Sequence, residues 1–145
     1  GGIQIRSDAV RKHLAGISLH QRGDELLYTD AMAQQTYDRL LDLGECLANQ
    51  GWTVILDAKF DRVSWRQRAI DFAQTRDLPL RILHCTAPVA VLCDRLNCRT
   101  SDIADATADL LPSQQAAAEP FAAAEQKYVR SIDTTQPFAA QLFDS

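Results

Sequence analysis

Asp8 and Arg11 stand three apart in the run Ser7-Asp8-Ala9-Val10-Arg11. That spacing puts both side chains on one side of a helical turn. A carboxylate beside a guanidinium can orient a substrate hydroxyl while the guanidinium holds an anionic substrate group. It can equally be a charge pair on a surface helix. Asp57 closes the apolar run Trp52-Thr53-Val54-Ile55-Leu56. A carboxylate at a strand end can hold magnesium, directly or through water, or orient a phosphate-binding group; many strands also end in a simple turn acid. Lys59 and Arg62 lie just beyond, as charges facing either that site or solvent. Arg95 and Arg99 are four apart at a helix end, with Ser101 and Asp102 after them. Two guanidinium groups on one face need counter-charge. Phosphates supply it bidentately, and so can Asp94, Asp102 or Asp105 in an ordinary salt bridge.

Other reactive side chains carry less. His13 and His20 sit in polar surroundings and read as surface residues. His84 and Cys85 adjoin on a predicted strand, so they point to opposite faces. That geometry disfavours a zinc site from His84, Cys85, Cys93 and Cys98, and a Cys-His nucleophile as well. The chain has no HExxH, GxSxG or calcium-loop pattern. It has no aromatic-and-basic platform for single strands.

The elements that must position these groups alternate. Ile3 and Ile5 fit a short strand, and Ser7 or Asp8 is expected to cap a helix from Ala9 to Leu14. Residues 16–29 read as a loop. Thr29 or Asp30 caps a long helix to Asn49, with Met32, Tyr37, Leu40, Leu41, Gly44 and Leu47 as its apolar stripe, ended by Gly51. Residues 52–56 read as a strand buried on both faces, as parallel strands are. Ser64 and Gln67 form a possible capping box for a helix to Asp77, with Trp65, Ala69, Phe72 and Ala73 inward. Leu80 to Cys85 is the next strand, and Pro88 opens a helix to Asn97 with Val89, Leu92, Cys93 and Leu96 inward. Residues 99–109 are a polar connection, followed by helix over 109–119 and an alanine-rich stretch read as either a helix pair or a linker. Tyr128 to Ile132 is the last strand. Thr135, Pro137, Phe138, Leu142 and Phe143 suggest a terminal helix. Strands separated by helices argue for parallel βα units with helices on both faces. Ligands in such sheets bind at the carboxyl ends of strands, which selects Asp8, Asp57 and the segment after Cys85.

The 145 residues are the size of one ordinary domain. With 46% hydrophobic and 23% charged residues, disorder and collagen are disfavoured. No apolar stretch approaches a membrane span, and no export signal opens the chain. The net charge of −4 argues against broad nucleic-acid binding. Four cysteines with no CxxC pair read as reduced, mostly buried thiols of a cytoplasmic protein.

The segments Ile5 to Lys12, Gly51 to Ala58 and Ile82 to Cys85, with Pro88, Arg95 and Arg99, resemble a family of bacterial P-loop kinase-like proteins, the AAA-family ATPases. These occur alone or joined to an aminoglycoside-phosphotransferase-like domain. The resemblance covers Ile3 to about Thr134. It implies an α/β, three-layer parallel-sheet, P-loop NTPase-like fold of strand order 2-3-1-4-5, present here as a single partial domain with a lid around 95–110. It implies an ATP- and Mg2+-dependent kinase acting on a hydroxyl of a small molecule or nucleic-acid end. Asp8 would orient or deprotonate the acceptor hydroxyl, and Arg11 would bind the acceptor's anion. Asp57 would be the Walker B-like acid, holding magnesium through water, and Arg95 and Arg99 would be lid arginines. Gln114 matches a polar family position of no stated task. The chain contains no GK[ST]. The phosphate-cradling loop and the central strand of such kinases are therefore expected from a further segment, from another copy or not at all. In the last case the chain would be a noncatalytic interaction domain, and a nucleotide hydrolase of the same fold is a further alternative. Without that loop these residues are expected to bind ATP weakly.

Overall fold

A computed structural model of the chain describes residues 1–99, 103, 105, 107–138 and 141. Two compact units divide it: Gly1–Phe60 with Thr100–Asp105, and Asp61–Arg99 with Ala106–Ser145.

In the first unit β1 (Ile3–Arg6) runs directly into α1 (Ser7–Leu14), which places Asp8 in the first helical turn. Neither Ser7 nor Asp8 caps this helix; Arg6 holds the cap position without a side-chain hydrogen bond, because the strand leads into the helix with no intervening turn. A 3-10 turn at Glu25–Tyr28 interrupts the expected loop. Thr29 then caps α2 (Asp30–Asn49), its Oγ1 accepting the Met32 N–H at 3.2 Å. Gly51 takes φ +87°, the left-handed conformation in which glycine carries no Cβ penalty, and stops the helix. β2 (Val54–Asp57) lies parallel to β1 in the register Ile3↔Val54 to Arg6↔Asp57. Val10, Leu27, Tyr37, Leu40 and Leu41 form the core. Gly44 lets α2 approach β2 closely, since a Cβ there would lie 2.9 Å from Leu56 Cδ2.

The second unit holds α3 (Val63–Thr75), β3 (Ile82–Thr86), α4 (Val89–Asn97), a 3-10 turn at Ala108–Leu110, α5 (Leu111–Ala117), a second 3-10 turn at Ala123–Tyr128, and β4 (Val129–Asp133). β3 and β4 are parallel, from Ile82↔Val129 to Thr86↔Asp133. The expected Ser64 capping box is absent. α3 starts one residue earlier, and Glu119 Oε2 accepts the Val63 N–H instead. Trp65, Ile70 and Ala73 are buried. So is Arg66, which donates to Glu125 from Nε at 2.7 Å and from Nη2 at 3.1 Å, and to the Pro120 carbonyl. Its guanidinium also lies 4.8 Å from the Phe121 ring centroid. This ion pair ties α3 to the alanine-rich stretch and orders what composition left as a helix pair or a linker. Of the expected terminal helix, residues 139, 140 and 142–145, Leu142 and Phe143 included, lie outside the described residues.

The fold class is α/β with parallel strands, in two two-stranded sheets, β1-β2 and β3-β4. Burial departs from expectation. Ile55 is 52% and Leu83 46% exposed, so neither β2 nor β3 is buried on both faces. A strand with one paired neighbour keeps an open edge, and the apolar run keeps its composition without its cover. α4 likewise has no fully buried residue, Val89 being exposed. All four cysteines are free thiols, but Cys46, Cys85 and Cys98 are exposed and only Cys93 is half-buried. Cys46 lies off the Leu40-Leu41-Gly44 stripe of α2, and Cys85 lies on the open β3 strand. Among the described residues no helix is long and apolar enough to cross a membrane.

Candidate functional site

The parallel register brings Arg6 opposite Asp57 at the carboxyl ends of β1 and β2. The next two residues on the first strand's path reach Asp8. Arg6 therefore stands between two carboxylates, its Nη2 3.7 Å from Asp8 Oδ2 and its Nε 3.7 Å from Asp57 Oδ2. Gln4 donates to the same Asp57 oxygen at 2.8 Å. Arg11 Nη1 approaches Asp8 Oδ1 at 3.8 Å across one helical turn. Asp8, Arg11 and Asp57 thus gather at one strand-end cluster, which Arg6 completes. Residue types alone did not single out Arg6; its place opposite Asp57 is a product of register.

The cluster is partly open. Side-chain exposure is 27% at Asp8, 49% at Asp57 and 14% at Arg11. Arg11 is wedged over Tyr28, with the guanidinium carbon 5.2 Å from the ring centroid. Its Nε is buried with no hydrogen-bond partner among the described residues. Tyr28 donates its hydroxyl to Asp105 Oδ2 at 2.6 Å. Asp105, one of the counter-charges considered for Arg95 and Arg99, is instead engaged by Lys12 at 3.2 Å and by the Gly23 N–H at 2.9 Å. Burial pushes its carboxyl up, but the Tyr28, Gly23 and Lys12 donors outweigh this and hold it below the ordinary value. Just past β2, Phe60 adopts φ +45°, a left-handed conformation rare for a bulky residue. The Tyr37 hydroxyl accepts its N–H at 3.1 Å, and the two rings meet edge to face.

Asp57 suits a hard cation. It is a half-exposed oxygen donor, and the Gln4 and Arg6 contacts both fall on Oδ2. Magnesium is commonly held by one or two carboxylates with water completing its shell. Among the described residues no group of three or more His, Cys, Asp or Glu side chains could hold a metal ion.

Arg95 and Arg99 belong to the second unit. Arg95 grips the end of β4, donating to Thr134 Oγ1 at 2.6 Å and to the Thr134 carbonyl at 2.9 Å. Thr134 in turn donates to the Thr86 carbonyl from its N–H at 2.8 Å and from Oγ1 at 3.0 Å, so Arg95 fastens the carboxyl ends of β3 and β4. Arg99 is exposed just past α4, and Ser101 and Asp102 lie outside the described residues. Arg62 lies over the Trp65 ring at 4.7 Å, and Lys59 is exposed. His84 packs edge to face on Phe121. Gln114 is half-buried on α5.

A family model described as an AAA domain matches residues 1–121. The chain belongs to that AAA domain family. No curated protein matches it. Solved structures share the fold of this AAA domain. An unliganded sugar kinase from Janibacter sp. HTCC2649 is 21% identical with a TM-score of 0.64, covering 98% of this chain and 76% of that one. A gluconokinase from Sinorhizobium meliloti 1021 is 23% identical with a TM-score of 0.61, covering 98% and 73%. The tunicamycin resistance protein of Deinococcus radiodurans is 14% identical with a TM-score of 0.51, covering 93% and 73%. The AAA domain described here therefore has a P-loop kinase-like fold.

Proposed function

We propose that this AAA domain is the acceptor-side part of an ATP-dependent phosphotransferase acting on a hydroxyl of a small anionic molecule. The observation that carries this reading is the cluster of Asp8, Arg11 and Asp57 around Arg6 at the carboxyl ends of two adjacent parallel strands. In sheets of this type ligands bind at that end. Phosphoryl transfer asks for orientation and charge neutralisation, with little covalent help from the protein. Asp8 orients the acceptor hydroxyl and takes its proton. Arg11 pairs with the acceptor's anion. Asp57 would hold magnesium through water, and that ion would supply charge neutralisation for the phosphates. Arg6 keeps the two carboxylates apart in role while balancing their charge.

Arg95 and Arg99 are proposed as the lid arginines of the transfer. To take that role Arg95 would have to give up its bonds to Thr134. The gluconokinase and sugar kinase folds favour a hydroxylated carboxylate as acceptor over a nucleic-acid end, and so does a net charge of −4. A cytoplasmic location fits three exposed thiols, which stay reduced there. A further segment or a second copy is the proposed partner for the open β2 strand, where Ile55 is exposed.

The test is transfer of labelled phosphate from MgATP by the protein of the complete reading frame containing these residues. D-gluconate, D-glucose and a 5′-hydroxyl oligonucleotide are the acceptors. Transfer to gluconate above the neutral sugar is expected. Hydrolysis of ATP unaffected by any acceptor would favour the nucleotide hydrolase alternative, and no turnover of ATP would favour an interaction domain.

A further inference from the structure

Asp105 reaches the first unit from a distant part of the chain, six residues beyond Arg99. Its carboxylate meets three donors at once: the Tyr28 hydroxyl at 2.6 Å, the Gly23 N–H at 2.9 Å and Lys12 Nζ at 3.2 Å. The surroundings are shaped to it. Lys12 is buried to 3% exposure and also donates to the Leu19 carbonyl at 3.1 Å. A Cβ at position 23 would meet the Leu27 side chain and come within 2.9 Å of Asp105 Oδ2, so any larger residue there would have to displace them. Burial and the bond to Asp105 both raise the Tyr28 pKa, so the phenol remains a donor throughout the neutral range.

The anchored ring is what Arg11 rests on. Its contact with Asp8, at 3.8 Å, is too long for a hydrogen bond and does not fix the guanidinium plane. Its buried Nε has no hydrogen-bond partner among the described residues. The Tyr28 face at 5.2 Å is therefore the main restraint on where the guanidinium points.

We propose that Asp105 is a positioning residue for the acceptor side of the site: by gripping Tyr28, Lys12 and Gly23 together it fixes the Tyr28 ring, and through the ring the Arg11 guanidinium beside Asp8. This rests on the reading of Arg11 as the group that pairs with the acceptor's anion. An aspartate is the residue this task requires. An asparagine offers a single acceptor oxygen and no charge, which leaves buried Lys12 without its counter-ion.

Nitrogen-15 NMR of the arginine side chains reads the Arg11 Nε–H without any need for turnover. In the native protein of the complete reading frame this signal is expected to be displaced by the Tyr28 ring current. Tyr28→Leu serves as the reference for loss of the ring. Asp105→Ala should move the signal to that reference position, and Tyr28→Phe, which keeps the ring and removes only the hydroxyl, should move it part of the way. In steady-state kinetics with D-gluconate, both variants should raise the KM for gluconate about tenfold, the equivalent of ~1.4 kcal/mol, and leave the KM for ATP unchanged. An Arg11 signal that stays in its native place in Tyr28→Phe and in folded Asp105→Ala would overturn the proposal. So would a displaced signal with no change in gluconate KM. If Asp105→Ala does not fold, Tyr28→Phe decides alone, since it removes one hydrogen bond. Displacement of the signal in a protein that phosphorylates none of the acceptors would uphold the contact and count against the kinase reading instead.

Discussion

Asp8 and Asp57 share one arginine, and the proposed function gives them different work. Asp8 sits in the first turn of α1 with Arg11 one turn on, whereas Asp57 ends β2 half-exposed with Gln4 on one oxygen. Arg11→Ala is expected to raise the KM for an anionic acceptor about tenfold while leaving kcat nearly intact, since it removes a charge-assisted bond made equally in ground and transition states. Equal KM values for gluconate in variant and native enzyme would return Arg11 to the role of a surface charge. Arg99→Ala should lower kcat, because a lid charge matters most as the phosphoryl group moves between oxygens; an unchanged kcat would remove Arg99 from the reaction. Asp8, Arg11 and Asp57 were legible in the sequence because each is marked by local pattern, a strand end or a helical spacing. Lys12, Tyr28 and Asp105 were not, since their contacts join residues 77 to 93 apart, and nothing local marks Asp105 as their shared acceptor.

Two joints between elements carry the scaffold. In the second unit, Arg66 and Glu125 form a buried pair at 2.7 Å. Glu125→Ala removes the counter-charge of a buried guanidinium, and is expected to cost about 3–5 kcal/mol in urea unfolding. Glu125→Gln, which keeps an acceptor, should cost less. The Arg66 hydrogen bonds hold the Glu125 carboxyl below its ordinary value, burial opposing and the Ala122 N–H assisting. The folded pKa is thus lower than the unfolded one. The pair's contribution is present above about pH 4.3 and is lost as pH falls through the folded value. Stability of Glu125→Gln should therefore fall less steeply with acid than that of the native protein; parallel curves would contradict this. In the first unit, Gly44→Leu would drive a side chain into Leu56, and is expected to lower the thermal midpoint by the equivalent of about 1–3 kcal/mol. Helix positions and the Thr29 and Gly51 signals were legible as propensity and capping. The uncapped start of α1 and the Glu119 contact at α3 were not, because tertiary neighbours supply what local side chains do not.

The whole chain reads as two parallel strand pairs, β1-β2 and β3-β4, in a P-loop kinase-like fold. The α/β class and all four strands were visible as apolar β-branched runs between helical periods. Burial of those strands was not, because composition records what a strand is suited to bury against, and Ile55 and Leu83 remain exposed among the described residues. The proposed function gives Asp8 to the acceptor hydroxyl. The direct test is Asp8→Asn in the protein of the complete reading frame, with gluconate turnover measured beside the Kd for MgATP. Turnover is expected to fall at least about a hundredfold, as for loss of a general base, while the ATP Kd stays within about twofold, a change smaller than ~0.5 kcal/mol. Near-native turnover, or a loss of ATP affinity as large as the loss of turnover, would contradict the assignment of Asp8 to the acceptor hydroxyl.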